Sequence, residues 1–131
     1  MAAGEAICCI CSRSKNHDPH PLPAVERYTG THIKHVKTLA ENQKNPFFVL
    51  SGVHGFIPGR SMIWNYDHLL QPNEVAALAH KIGQQLKYYG IKTLHFYTKD
   101  KPNWQPYLAA LKQGAEVAGV QLHVNYLEDD T

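Results

Sequence analysis

The chain has 131 residues, 44% of them hydrophobic and 18% charged, with a formal net charge of +2. That length suits one domain around one core, and that composition excludes an intrinsically disordered chain. The weak charge comes from scattered Lys and Arg and makes no electrostatic case for nucleic acid, and the apolar run Ala6–Cys11 is too short to span a membrane.

With no signal-peptide pattern ahead of that run, the expected location is cytoplasmic. Cys8, Cys9 and Cys11 lie too close together for a disulfide framework and read as reduced thiols. The 9 histidines add positive charge below neutral pH, because imidazole titrates near about 6.5.

In chain order, Ala6–Cys11 is a continuous apolar run and predicts a central strand covered on both faces. Residues 12–23, rich in Pro and His, predict an irregular loop. Ile33, Val36, Leu39 and Ala40 share one face of a helix over Thr31–Gln43, with Thr31 as N-cap and Asn45-Pro46 as stop. Phe47–Leu50 predicts a second strand, followed by a long connection over 56–70 without regular structure.

Val75, Leu78, Ala79, Ile82 and Leu86 form the stripe of a helix that starts near Pro72 and stops at Gly90. Strand Lys92–Thr98 follows. Asn103 is placed to cap a last helix with Tyr107, Leu108, Leu111, Ala115 and Ala118 on its face, and Gly119 ends it. Val120–Tyr126 alternates as an edge strand open to pairing with a second copy in a homodimer, and the acidic tail Glu128–Asp130 reads as a fraying end. The order β-α-β-α-β-α-β predicts one α/β, Rossmann-like domain over 1–131, a four-stranded mainly parallel sheet with helices on both faces.

In such a sheet the ligand site lies beyond the carboxyl ends of the strands. Cys11-Ser12-Arg13-Ser14-Lys15 stands there after the first strand, with hydroxyls and two cations suited to an anion or ribose, although it lacks the glycines of a P-loop. Ser51-Gly52-Val53-His54-Gly55 stands there after the second, where glycines permit close backbone approach and His54 suits proton transfer. Tyr66-Asp67-His68 offers an acid–base group in which Asp67 orients His68. Cys11 beside Arg13 and Lys15 is a nucleophile only if exposed, since a buried thiol is a small apolar filler. His32 and His35 on one helix face read as solvated polar residues, and no metal or cofactor is expected.

These segments, together with Pro23-Ala24-Val25-Glu26-Arg27-Tyr28-Thr29-Gly30 and Leu50–Pro58, resemble a family of small, largely uncharacterised bacterial and phage domains. That family carries C-S-x-x-K, A-x-x-x-Y-x-G, L-S-x-x-x-G-x-x-P and Y-D-x-x-L motifs, and some members are associated with tRNA-guanine or DNA 7-deazaguanine transglycosylation. The middle part is also similar to the bacterial peroxide-stress protein family, reported to bind DNA. The resemblance runs to about Leu70 and implies a site of Cys11, Ser12, Lys15, Tyr28, Ser51, His54, Gly55, Tyr66 and Asp67.

The favoured reading is a nucleotide- or nucleobase-handling protein acting on an N-glycosidic bond, with Lys15, His54 and Asp67 as catalytic candidates. Cys11, Ser12, Arg13, Tyr28, Ser51, Gly52, Gly55 and Tyr66 would bind the ligand. The alternative is a nucleic-acid-binding module without catalysis, using Lys34, Lys37, Lys44, Lys81 and Lys87 on phosphates and Trp64, Tyr66 or Trp104 on bases. A third is an interaction domain whose surface is the aromatic connection with Phe56 and Trp64 exposed.

Overall fold

The computed structural model describes residues 4–128, so Asp129 and Asp130 of the acidic tail lie outside the described residues. The elements are β1 (Glu5–Ile10), β2 (Leu22–Pro23), α1 (Ala24–Arg27), α2 (Thr31–Gln43), β3 (Phe47–Ser51), β4 (Gly55–Pro58), β5 (Met62–Ile63), α3 (Val75–Tyr88), β6 (Thr93–Thr98), α4 (Gln105–Ala118) and β7 (Gln121–Tyr126). Single 3₁₀ turns, Pro72–Glu74 and Pro102–Trp104, lead into α3 and α4.

The main sheet has five strands in the order β4-β3-β1-β6-β7, not four. β1, β3, β6 and β7 run parallel, while β4 pairs antiparallel with β3 through Ser51↔Gly55 to Phe48↔Pro58. The extra strand was hidden in the expected irregular connection, where Gly55 and Pro58 read as turn residues. Gly55 takes φ +76°, which lets the chain reverse, and Pro58 ends an edge strand where no ladder donor is missed. β2 and β5 form a separate two-stranded ribbon, so the 12–23 loop also contains pairing that its composition did not suggest.

β1 lies between β3 and β6, and Ala6–Ile10 are essentially inaccessible, as its unbroken apolar run requires. α2 packs on β1 and β3; α3 packs on β4 and against α4, which lies on β7. Right-handed crossovers put α2 on one face of the sheet and the α3–α4 pair on the other. The two helices of the pair approach at Gly83 and Gly114, where a Cβ on Gly114 would stand 2.8 Å from Ile82 Cγ2 and 2.9 Å from the Ala79 carbonyl oxygen. The N-cap of α2 is Gly30 rather than Thr31, and no side chain caps it.

All three cysteines are free and buried. Phe56 is also buried and stacks on Phe48 with centroids 4.2 Å apart, so the aromatic connection does not present it as a contact surface. Among the described residues no helix is long and apolar enough to cross a membrane. The chain leaves β1 toward β3 and later returns to β6 on the other side. The strand order therefore reverses at β1, and that reversal positions a crevice at its carboxyl end.

Candidate functional site

Beside the carboxyl end of β1 a cavity of about 210 Å³ opens between the 11–15 loop, residues 66–69 and the approach to α4. Trp104, Tyr66 and Tyr107 give it aromatic lining, and the exposed Arg13 and Asp67 stand at its rim. Asp67 is the one carboxylate among the residues lining it. Lys15 is half-buried, its Nζ donating to the Arg13 carbonyl at 3.2 Å and lying 4.7 Å from the Tyr66 ring centroid. That is cation–π range, so the ammonium is held at the aromatic wall.

Behind the wall is a chain of hydroxyls. Ser51 Oγ accepts from the backbone N–H groups of Val53 at 3.2 Å and His54 at 3.0 Å, which leaves its proton to donate to Tyr66 Oη at 3.0 Å. Tyr66 Oη in turn shares a hydrogen bond with Tyr28 Oη. Burial holds both phenols well above the usual tyrosine range, so they stay protonated and the chain is a neutral scaffold. Tyr107 Oη accepts from the Leu70 N–H at 3.1 Å, and burial pushes that phenol up to about 12.

The structure gathers Cys11, Ser12, Arg13, Lys15, Tyr66 and Asp67 at the cavity and leaves the other expected site residues outside its lining. Burial pushes the Cys11 thiol up to about 11, so at neutral pH it is a protonated filler. Ser12 Oγ donates to the Ser14 carbonyl at 2.7 Å and accepts from the Gly30 N–H at 3.1 Å, tying the loop to the start of α2. Tyr28 is 2% exposed and stands behind the lining, meeting Tyr66 through its hydroxyl and Lys15 through its ring, whose centroid is 5.9 Å from the ammonium. His54 meets the Tyr66 ring edge-on at 5.4 Å, and its imidazole is shifted below the usual range by burial and then by Lys81.

Gly52 and Gly55 are closely packed by side chains of α4 and α3. A Cβ on Gly52 would stand 3.1 Å from Tyr107 Oη, so its absence lets Tyr107 close on the turn. A Cβ on Gly55 would collide with the Gln85 side-chain oxygen. Gln85 accepts from the Phe56 N–H at 2.7 Å and donates to the His54 carbonyl at 2.9 Å, so α3 clamps the hairpin turn.

Two expectations do not hold. His68 Nε2 is bonded to Glu74 at 2.9 Å rather than oriented by Asp67, because Glu74 also accepts from the Gln71 N–H at the start of the 3₁₀ turn. His32 is not a solvated partner of the exposed His35: it is buried, donates from Nε2 to the Ile10 carbonyl at 2.7 Å, and stacks tilted on Trp104. Among the described residues no three His, Cys, Asp or Glu converge on a metal position.

Arg27, Asn103 and Tyr107 went unnoticed as parts of this region. Arg27 is fully buried, and its guanidinium donates to the carbonyls of Asn16, Asp18, His20 and Ile63. It thus holds the 12–23 loop against β5. A positional signal existed only for Tyr107, a phenol on an apolar helix stripe whose hydroxyl must find a partner when buried.

A model of the family of unknown function DUF6884 matches residues 7–123, a span that includes every residue of this site. The chain belongs to this family. No curated protein and no solved structure matches the chain at a significant level. For DUF6884 the matched span thus takes in both the cavity and the hydroxyl chain behind it.

Proposed function

We propose that this chain binds a nucleobase-bearing ligand in the β1 cavity and acts on its N-glycosidic bond. The observation that carries the reading is Asp67, the single carboxylate among the lining residues of a cavity that also presents the rings of Tyr66, Trp104 and Tyr107 and the cations Arg13 and Lys15. Drug-sized ligands occupy about 300–1,000 Å³, so a cavity of about 210 Å³ suits one ring system with part of its sugar. Trp104 and Tyr66 supply faces on which a base stacks, worth about 1–3 kcal/mol per base.

The chemistry follows from the charges. As the bond between sugar carbon and base nitrogen breaks, its electron pair leaves with the base and the sugar becomes oxocarbenium-like. Asp67 stabilises that positive centre, and Lys15 stands ready to stabilise or protonate the departing nitrogen. Water, or a second base in a transglycosylation, then adds to the sugar carbon and loses a proton. The motif resemblance to transglycosylation-associated domains supports this reading. Tyr28, Ser51 and His54 position Tyr66 rather than touch the ligand.

The test combines thermal shift with chromatographic detection of free base across nucleosides and nucleotides. A ligand should raise Tm in the wild type and in Asp67→Asn, while base release falls about 100-fold or more in the variant and Trp104→Ala loses the shift. Base release by Asp67→Asn at the wild-type rate, or no shift with any nucleobase-bearing ligand, would overturn the proposal. A shift without release by the wild type would leave a binding module.

A further inference from the structure

A second groove of about 570 Å³ adjoins the cavity and shares Ser12, Arg13 and Trp104 with it. Its remaining lining comes from Ser14, from Gly30 and the first residues of α2, and from Lys99 and Lys101, just past the carboxyl end of β6. Arg13, Lys99 and Lys101 therefore converge from two separate chain segments, and no carboxylate is among the lining residues. The nearby Asp100 instead has its Oδ1 accepting from Gln105 at 3.0 Å.

We infer that this groove is a phosphate subsite, so that the ligand of the cavity is a phosphorylated nucleoside rather than a free base or bare nucleoside. The inference rests on the base-binding reading above and adds a substrate class to it. Lys101 Nζ lies 5.4 Å from the centroid of Trp104, the ring that also lines the cavity, so a group reaching past Trp104 from a stacked base meets this ammonium. Lys99 is 7% exposed and lines the same groove. His32 lines the groove together with both lysines.

The start of α2 adds to the same field without being the basis of the assignment. Gly30 has no side-chain cap to offer and the first turn holds no acidic residue, so the positive end of the helix dipole is uncompensated where Gly30 and Thr31 line the groove. One amide there, Gly30 N–H, is committed to Ser12 Oγ. A phosphate with at least two oxygens ionised matches the Arg13 guanidinium and the Lys101 ammonium, which stand on this lining with no carboxylate among its residues and can donate charge-assisted hydrogen bonds to it. Neither Lys99 nor Lys101 carries a sequence signal, since Lys99-Asp100-Lys101 reads as an ordinary charged loop.

The experiment measures, at fixed ionic strength, the affinity of a nucleoside, its 5′-monophosphate, a short single-stranded oligonucleotide and inorganic phosphate, for the wild type, Lys101→Gln and Arg13→Gln. The expected result is at least about tenfold tighter binding of the monophosphate than of the nucleoside, with the ratio falling toward one in Lys101→Gln. A gain that appears only with the oligonucleotide and disappears in Lys101→Gln supports the subsite and assigns its phosphate to a diester. Inorganic phosphate binding that is lost in Lys101→Gln, with no binding of the nucleoside, supports the subsite while overturning the base-binding reading. Equal affinities for nucleoside and phosphorylated forms, or a gain that survives in both variants, overturns the subsite. Lys101 and Arg13 lie in loops outside the core, so loss of fold does not confound the comparison.

Discussion

Tyr66 joins two residues that are far apart in sequence, and its hydroxyl is the middle of the chain from Ser51 to Tyr28. Removing that hydroxyl strands two others where water is scarce, because Ser51 is inaccessible and Tyr28 nearly so. Tyr66→Phe should therefore destabilise the protein by about 1–3 kcal/mol, the range for leaving buried polar groups unpaired. Tyr28→Phe should cost less, since Tyr66 keeps Ser51 as a donor. The double variant should cost less than the sum by about 0.5 kcal/mol or more, as expected for direct partners. Denaturant midpoints for the cycle provide the check, and strict additivity would mean that the two phenols do not act as a unit.

At the scale of elements, the 12–23 loop is ordered by Arg27, one side chain from the four-residue α1. Lysine keeps the charge but has no planar fork to reach several carbonyls, so Arg27→Lys should destabilise by about 1–3 kcal/mol and speed proteolysis within residues 12–23. Unchanged cleavage would show that β2–β5 pairing alone holds the loop. What the sequence made legible were the elements with a period: the buried run of β1, the stripes of α2, α3 and α4, and the alternation of β7. β4 was not legible, since four residues from Gly55 to Pro58 carry turn chemistry and find their pairing only through β3. Of the site, the cluster from Cys11 to Lys15 stood out by its position after a strand, and the Tyr66-Asp67 pair by its acid–base residue types within the long connection. Arg27, Gln85, Lys99 and Tyr107 act through contacts between distant segments, which local spacing does not encode. His54, Gly52 and Gly55 looked like ligand residues for the same reason, because a glycine packed on a neighbouring helix has the same local sequence as one facing a ligand.

For the whole molecule, the crevice at β1 sits over a buried histidine that is part of the fold. His32 is 4% exposed, and burial, joined by repulsion from Lys99 and Lys101, holds its imidazole below the usual range despite the hydrogen bond to the Ile10 carbonyl. In the unfolded chain the same group titrates near about 6.5. Between that value and the lower folded one, the unfolded state carries the extra proton, so stability increases with pH in this window. The His32 contribution is complete above about pH 7 and is lost as pH falls through 6.5 toward the folded value. His54, shifted in the same direction by burial and Lys81, adds to the same slope. The lowered carboxyls of Asp18 and Glu74 also favour higher pH, but they start from 3.8 and 4.5 and act below this window. Thermal melts from pH 7.5 to 5.5 should therefore show Tm falling, with a shallower fall in His32→Gln, whose amide can still donate to the Ile10 carbonyl but cannot take up a proton. His54→Gln should flatten the curve less, because His54 is more exposed. Identical slopes for the wild type and His32→Gln would mean that the native state accepts the proton on His32 as readily as the unfolded chain, contrary to its burial beneath the groove.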